Sequence, residues 1–180
     1  MLIEHFGERY NCHALELGPG IAANVSFLTG FCSRLSVEDL HRTLCTLGEP
    51  YSGQRRLYCP LFQALLPHSA QAPFDLVLLW NLLDYLDHED IRRLSEHLAT
   101  LATRGTLLYA MVSTRTRICA SPPDYKILDS ANLMRIANTP QECDGPRHSQ
   151  VRLLEQMRGF RVKRSFLLRN GMQEYLFEKV

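Results

Sequence analysis

The sequence predicts an α/β fold whose sheet is mostly parallel and closes with an antiparallel hairpin. Short apolar runs alternate with helical periodicities through most of the chain. Phe74 to Trp80 is an almost unbroken apolar run, which is typical of a parallel strand covered on both faces. Asn170-Gly171 joins the last two strand candidates as a tight hairpin turn. Alternating strands and helices require a mostly parallel sheet with helices on both faces.

The first half of the chain gives three strand candidates and two helices. The strand from His13 to Leu17 runs directly into Gly18-Pro19-Gly20, and a helix then begins at Ile21. Gly30 ends that helix. The later elements of this half are a strand at 32–37, a helix from residue 40 that stops at Gly48 and Pro50, and a third strand at 56–61.

The second half begins with the strand at 74–80, which we expect at the centre of the sheet. Asp87 is predicted to cap a helix, with Asp90 three residues later. That helix has an apolar stripe and ends at Gly105. The remaining predictions are a strand at 106–112, helices at 130–137 and 151–157, loops at 119–123 and 138–146, and strands at 160–168 and 172–180.

Length and composition favour one compact domain covering residues 1–180. The chain has 46% hydrophobic and 22% charged residues, which excludes a largely disordered protein. It lacks an apolar run of bilayer length and a signal peptide at its start, so we expect a cytoplasmic, soluble protein without a membrane partner. The net charge of +1 gives no reason to expect nucleic acid.

The charge distribution and the spacing of possible metal ligands add little to the prediction of partners and ligands. Residues 147–180 carry eight Lys and Arg against three Glu, and we favour a solvated surface over a face for an anionic ligand. The six cysteines and seven histidines are widely spaced, with no pattern typical of a zinc site. The cysteines are expected to be reduced and mostly buried, and no metal is predicted.

The segment Glu16-Leu17-Gly18-Pro19-Gly20-Ile21-Ala22-Ala23 resembles motif I of class I S-adenosylmethionine-dependent methyltransferases. Residues 74–80, 105–113, 157–162 and 174–177 are similar to the family's fourth to seventh strands. Dinucleotide oxidoreductases use a similar glycine turn, but their sheet would be expected to continue parallel. The resemblance implies a Rossmann-like methyltransferase sandwich with a seven-stranded sheet, an antiparallel C-terminal hairpin, and S-adenosylmethionine as cofactor.

The resemblance also implies where the cofactor binds. Gly18, Pro19 and Gly20 would let the backbone approach the methionine and ribose, with Glu16 near the ammonium group. Glu38 or Asp39 would hold the ribose hydroxyls, and we favour Glu38, which follows Glu16 by 22 residues, near the roughly 20-residue interval of ribose-binding acids. The alternative is an acidic pair at a helix start.

Asn81 is the best candidate for a further contact with cofactor or substrate, because it follows the central strand at its carboxyl end. Asp84 is the second candidate, and Trp80 is either beside the adenine or in the core. No catalytic residue is assigned, since methyl transfer is a direct displacement that needs mainly alignment. Weaker candidates, each with a favoured structural role or little support, are His88, His148, Tyr125, Arg115 and Arg117.

Two departures from the family pattern leave the function open. The family often has an acid after the third strand, but only Gln63 stands there. The strand before the glycine turn begins near His13, so we expect a reduced N-terminal cap and an open cofactor side. A homodimer or a partner protein would then cover it. We therefore expect methyl transfer to a small-molecule or protein acceptor, or alternatively a degenerate domain with a binding, assembly or regulatory role.

Overall fold

The computed structural model describes residues 11–47, 60–145 and 148–180. The strands in this part of the chain are β1 (Cys12–Glu16), β2 (Cys32–Val37), β3 (Phe74–Trp80), β4 (Ala102–Ser113), β5 (Arg117–Cys119), β6 (Asp124–Ile127), β7 (Leu133–Ile136), β8 (Glu142–Asp144), β9 (Phe160–Leu167) and β10 (Met172–Lys179). The helices are α1 (Ala22–Thr29), α2 (Leu40–Leu47), α3 (Pro60–Leu65), α4 (His88–Thr100) and α5 (Gln150–Gln156), with a short 3-10 helix at Leu82–Tyr85.

Among the described residues, six strands form one sheet in the order β2-β1-β3-β4-β10-β9, against the seven that the resemblance implies. The first four are parallel, and β10 is antiparallel to both of its neighbours. The predicted mostly parallel sheet with one reversed strand near its end is therefore confirmed. The third predicted strand covers residues 56–61. Residues 56–59 lie outside the described part of the chain, and Pro60 begins helix α3 rather than continuing a strand.

The sheet separates two apolar layers. One layer contains buried residues of α4 and α5 against β3, β4 and β10, including Leu94, Leu153 and Phe177. The other layer lies under α1 and β6, with Leu28 and Tyr125 packed over Leu78. Because β3 is buried on both sides, its continuous apolar sequence matches its central place. The segment 124–136, in which β6 and β7 pair, is here called the β6–β7 hairpin.

Helix α4 begins where its capping signal predicts. The Asp87 side chain accepts a hydrogen bond from the Asp90 backbone N–H at 2.8 Å, which satisfies a free amide of the first turn. The helix ends at Thr100 rather than at Gly105, because strand β4 already begins at Ala102 and includes that glycine.

The predicted helix at 130–137 is wrong. Residues Leu133–Ile136 form strand β7, which pairs with β6 in an antiparallel ladder from Asp124↔Ile136 to Ile127↔Leu133. The predicted loops at 119–123 and 138–146 also contain strand residues, since β5 pairs with β8. Pairing with a neighbouring strand has overridden local preference in both places.

Two of the cysteines face each other inside the sheet. Cys12 and Cys32 are buried, paired in register, and have their sulfur atoms 3.4 Å apart. Cys119 and Cys143 are half-buried. The side chains of Cys45 and Cys59 lie outside the description, and the other four form no disulfide with one another.

In the ranges given above, no helix combines the length and apolar composition that a bilayer crossing requires. The predicted reduction of the N-terminal cap concerns residues 1–10, which lie outside the described part of the chain.

Candidate functional site at the carboxyl ends of the strands

The glycine turn lies where the carboxyl ends of β1, β2 and β3 come together. The backbone N–H of Leu17 donates to the Leu78 carbonyl at 3.0 Å, which extends the pairing with β3. The backbone N–H of Glu38 donates to the Glu16 carbonyl at 2.8 Å, which extends the pairing with β2. In open parallel sheets ligands bind outside this edge. The fold thus places the predicted glycine turn at the expected edge.

Glu16 is the buried acid of this turn. Its Oε1 accepts hydrogen bonds from the Gly18 backbone N–H, at 2.7 Å, and from the indole N–H of Trp80. Its Oε2 is buried and has no hydrogen-bond partner among the described residues. Desolvation raises the pKa of Glu16 to about 7, although the two hydrogen bonds oppose that shift. The carboxyl therefore changes its charge close to neutral pH.

Trp80 lies directly over Gly18. A Cβ added to Gly18 would stand 2.8 Å from Cδ1 of the indole and 2.8 Å from Glu16 Oε1. The indole is 2% exposed and stacks on Tyr125 with ring centres 5.6 Å apart. Its backbone φ is 50°, a left-handed conformation that bulky residues adopt rarely. The chain's own indole therefore occupies the approach to Gly18, and the predicted core role of Trp80 fits this burial.

The outer part of the turn is more open. Gly20 is exposed, and a Cβ added there would meet only Val37 Cγ1 within 4 Å, at 3.3 Å. Pro19 accepts a hydrogen bond from the Ile21 backbone N–H at 2.7 Å, which holds the turn tight before α1 begins. A ligand would thus find free space over Gly20 rather than over Gly18.

The two acids at the end of β2 have different roles. Asp39 caps α2, because its Oδ1 accepts the Arg42 backbone N–H at 3.0 Å. Glu38 has an Oε1 that lies 3.2 Å from His68 Nε2, and its side chain is 36% exposed. The carboxylate of Glu38 is thus beside a side chain, and that of Asp39 is bound to a backbone amide. Glu38 stays the predicted contact with hydroxyl groups.

Asn81 and Asp84 lie at the end of β3. Asn81 is 3% exposed, and its Oδ1 is buried with no partner in the described part of the chain. Asp84 Oδ1 accepts the Ser113 backbone N–H at 2.8 Å, which joins the ends of β3 and β4. Desolvation raises the pKa of Asp84 to about 7, against the hydrogen bonds from Ser113 and Asn81. Both polar side chains are buried within this edge of the sheet.

The remaining sequence candidates divide into a buried or half-buried group and an exposed group. Tyr125 reaches the site through its stacking on Trp80, and burial raises its pKa to about 12. His148 packs edge-to-face on His88 with ring centres 4.9 Å apart, and its Nε2 lies 3.0 Å from the Leu83 carbonyl oxygen. His88 is half-buried, not the solvated helix residue that the sequence favoured.

Three further candidates are on the surface. Arg115 is exposed, and Arg117 is exposed and paired with Glu142 at 3.3 Å. The structure therefore keeps Arg117 in a surface ion pair rather than in a built anion site. Gln63 is exposed on α3, so the structure adds no contact that would make it a substitute for the missing acid.

Asn24 is a site-supporting residue that the sequence analysis missed. Its side chain donates to the Tyr125 carbonyl and accepts from the Ile127 backbone N–H, both at 2.7 Å, and it is 1% exposed. These two bonds attach the β6–β7 hairpin to α1, and so position Tyr125 beneath Trp80. The only signal in the sequence is an asparagine on the helix that follows the glycine turn. Within the described ranges, no three His, Cys, Asp or Glu side chains converge as a metal site.

The chain is similar in fold to solved structures of methyltransferases. The chain is similar to the N-methyltransferase NodS from Bradyrhizobium japonicum WM9 in complex with S-adenosyl-L-homocysteine, with 14% identity, coverage of 99% of this chain and 83% of that one, and a TM-score of 0.53. It is also similar to magnesium protoporphyrin IX methyltransferase (ChlM) from Synechocystis PCC 6803 with bound SAM, with 14% identity, coverage of 99% and 75%, and a TM-score of 0.54.

A third structure, the DhpI–SAH complex, has 14% identity, coverage of 99% of this chain and 81% of that one, and a TM-score of 0.54. No protein-family model and no curated protein sequence matches the chain. These likenesses define the class of fold: a Rossmann-like methyltransferase sandwich, as the sequence predicted.

Proposed function

We propose that this chain binds S-adenosylmethionine at the glycine turn and transfers its methyl group to a small-molecule or protein acceptor. The observation that carries the proposal is the pair of buried, unpartnered oxygens, Glu16 Oε2 and Asn81 Oδ1, at the carboxyl ends of neighbouring strands. Buried acceptors without a partner are rare in folded proteins, and a ligand donor would satisfy them. NodS, ChlM and DhpI, which share the fold, have been crystallised with this cofactor or its product.

The residues present fit the cofactor chemically. Glu16 supplies a carboxylate for an ammonium group, and Glu38 supplies two acceptor oxygens for a pair of hydroxyls. Gly20 leaves room above the turn, since only Val37 Cγ1 lies close to its added Cβ. The indole of Trp80 must turn away from Gly18 before a ligand reaches that part of the turn.

The cofactor, when bound, supplies a methyl group activated by a sulfonium, and the protein supplies mainly alignment. Glu16, Glu38 and Asn81 would bind and orient. Like Glu16, Asp84 can hold or release a proton near neutral pH at this edge, because burial raises its pKa to about 7. We assign it no contact with the acceptor. A homodimer or a partner protein covering this side belongs to the same proposal.

A second candidate function is a domain that has lost cofactor binding and acts as a binding, assembly or regulatory subunit. One observation favours it: Trp80 already donates to Glu16 and lies over Gly18, so the chain satisfies part of the site with its own side chain. The two candidates differ in whether the isolated protein binds the cofactor.

The test is isothermal titration calorimetry of the protein with S-adenosylmethionine and S-adenosylhomocysteine. We expect saturable binding, and loss of it in Gly20→Val, whose added side chain enters the space over the turn. Gly20 is a cleaner position than Gly18, where any Cβ already collides with Glu16 and Trp80. Ser26→Val is the matched control, since it adds the same side chain at an exposed position further along α1.

Binding by the parent and by Ser26→Val, but not by a folded Gly20→Val, supports the proposal. Absence of heat and of thermal stabilisation with the parent overturns it and favours the second candidate. Equal binding by all three proteins places the cofactor away from the glycine turn.

A further inference from the structure

A small pocket lies on the α1 side of the sheet, below the glycine turn. It has a volume of about 70 Å³ and is lined by residues of α1 and Phe31 after it, of the β6–β7 hairpin, and of strands β3, β4 and β10. The cofactor proposal uses none of its lining except Trp80, whose indole is shared between the two places. Polar pockets need about 10–15 Å³ for one water, so there is space for a group of several heavy atoms.

Four of the residues that line this pocket are aromatic, and its other apolar lining residues are aliphatic. Phe27 lines it from α1 and Phe31 from just beyond the end of that helix, with their rings edge-to-face and 5.7 Å apart. Tyr109 and Trp80 line it from the sheet, also edge-to-face, with ring centres 5.8 Å apart. Aromatic faces carry negative electrostatic potential and attract cations, so such walls favour a positively charged ligand that has an apolar surface.

Two carboxylates complete the lining. Glu174 of β10 accepts a hydrogen bond from the Tyr109 hydroxyl at 2.5 Å. Burial raises the pKa of Tyr109, so its hydroxyl stays a neutral donor. Asp129 begins the turn between β6 and β7, where its Oδ1 accepts the Ala131 and Asn132 backbone N–H groups at 2.8 and 2.9 Å. These hydrogen bonds and that of the Asn132 side chain lower the pKa of Asp129.

The described residues that line the pocket include no lysine, arginine or histidine. An anionic ligand would therefore meet two carboxylates and no basic side chain in that lining. A neutral apolar ligand would fill the aromatic part and use neither carboxylate. A compact organic cation uses both features, since its apolar substituents contact the rings and its charge is near Glu174 and Asp129.

We propose that this pocket binds a small organic ammonium ion, with its alkyl groups among Phe27, Phe31 and Tyr109 and its positive charge towards Glu174. The proposal concerns a ligand site separate from the glycine turn and does not depend on methyl transfer.

The experiment is a titration of the ¹⁵N-labelled protein with tetramethylammonium chloride, followed by amide chemical shifts. Tert-butanol is the neutral probe of similar size and shape, and sodium chloride controls for ionic strength. Trp80 is the only tryptophan of the chain, so its indole N–H gives one unambiguous signal on the pocket wall. We expect saturable shifts at residues 27–31, 127–133 and 174, with weaker effects from tert-butanol.

The carboxylates are tested by substitution. Glu174→Gln should weaken tetramethylammonium binding about fivefold, which corresponds to roughly 1 kcal/mol, because it removes a negative charge close to the cation. Asp129→Asn keeps an acceptor for the turn and should weaken binding in the same direction. Glu178→Gln is the matched control on β10, because that carboxylate is paired with Arg161 and Lys163 outside the pocket.

Saturable shifts at the pocket that are stronger for tetramethylammonium and reduced in Glu174→Gln and Asp129→Asn support the proposal. Equal shifts with tert-butanol, unsaturated shifts spread over the surface, or unchanged affinity in both carboxylate variants would each overturn it. The readout is binding alone, so it is independent of whether the glycine turn binds its cofactor.

Discussion

At the scale of single residues, Trp80 decides how accessible the candidate site is. Its indole donates to the Glu16 carboxylate, stacks on Tyr125 and stands where a Cβ of Gly18 would be. A bulky residue with φ of 50° is held there only by surrounding contacts, and such conformations concentrate at functional sites. A ligand that approaches Gly18 must therefore displace an indole that has its own partners.

Replacing Trp80 tests this displacement. Trp80→Phe keeps a ring to stack on Tyr125 but removes the N–H that donates to Glu16. We expect affinity for S-adenosylhomocysteine to rise about tenfold, since the ligand no longer breaks a hydrogen bond to a carboxyl worth roughly 1.4 kcal/mol. Calorimetry measures the change, with Tyr175→Phe, on the opposite face of the sheet, as control. Unchanged or weaker binding in Trp80→Phe would show that the indole is not the obstacle.

The resemblance to motif I predicted Glu16, Gly18 and Gly20 as a group, because all three lie within one short segment at the end of a strand. It could not predict that Trp80 covers them, since that contact joins residues 64 positions apart. Glu38 and Asp39 also have partners that the sequence does not show, since Asp39 caps α2 and Glu38 lies beside His68. The glycine-turn motif thus predicted a place for the site, while its cover by a side chain is a tertiary property.

At the scale of elements, the β6–β7 hairpin is where sequence interpretation failed. Residues 130–137 contain good helix formers and lack alternation, so local propensity indicated a helix. In the structure Asp129 organises a turn with Ala131 and Asn132, and the strand after it pairs with β6. An aspartate that binds backbone amides two and three residues ahead is a turn signal that the sequence does carry.

Asn24 is expected to hold this hairpin in place. Asn24→Ala leaves the Tyr125 carbonyl and the Ile127 N–H without their buried partner. The free energy of unfolding should therefore fall by about 2–3 kcal/mol. Urea unfolding measures the loss, and amide exchange should accelerate at residues 124–136. Ser26→Ala, an exposed change on the same helix, should stay within about 0.5 kcal/mol of the parent. Equal stability of the two variants would contradict an anchoring role for Asn24.

At the scale of the whole molecule, the sequence predicted the sheet better than its surroundings. The central strand β3 and the closing hairpin follow from local signals, an apolar run and Asn170-Gly171, and they occupy the centre and one end of the sheet. Handedness and short connections restrict how βα units join. The segment that packs beside α1 on the sheet could not be predicted in this way. It is the β6–β7 hairpin, whose strands pair antiparallel and do not belong to a βα unit.

Burial of ionisable groups in the sheet and its helices also makes stability depend on pH in opposing ways. Desolvation raises the pKa of Glu16, Asp84 and Asp90 to about 7, so their contribution to stability is lost as pH rises towards that value. Desolvation lowers the pKa of His41 to about 4, so its contribution is lost as pH falls below the ordinary histidine range. Between about pH 4.5 and 6.5 these effects oppose each other.

Substitution of Asp84 tests the carboxyl contribution to this pH dependence of stability. Its folded pKa of about 7 lies above the ordinary value of 3.8, so ionisation destabilises the folded protein as pH rises. Asp84→Asn cannot ionise, and its stability relative to the parent should increase by about 2 kcal/mol between pH 5.5 and 7.5. Urea unfolding at both pH values measures this, with Glu96→Gln, an exposed carboxyl on α4, as control. If the difference between Asp84→Asn and the parent is the same at both pH values, Asp84 is already ionised in the folded protein at pH 5.5, and it cannot hold a proton at neutral pH.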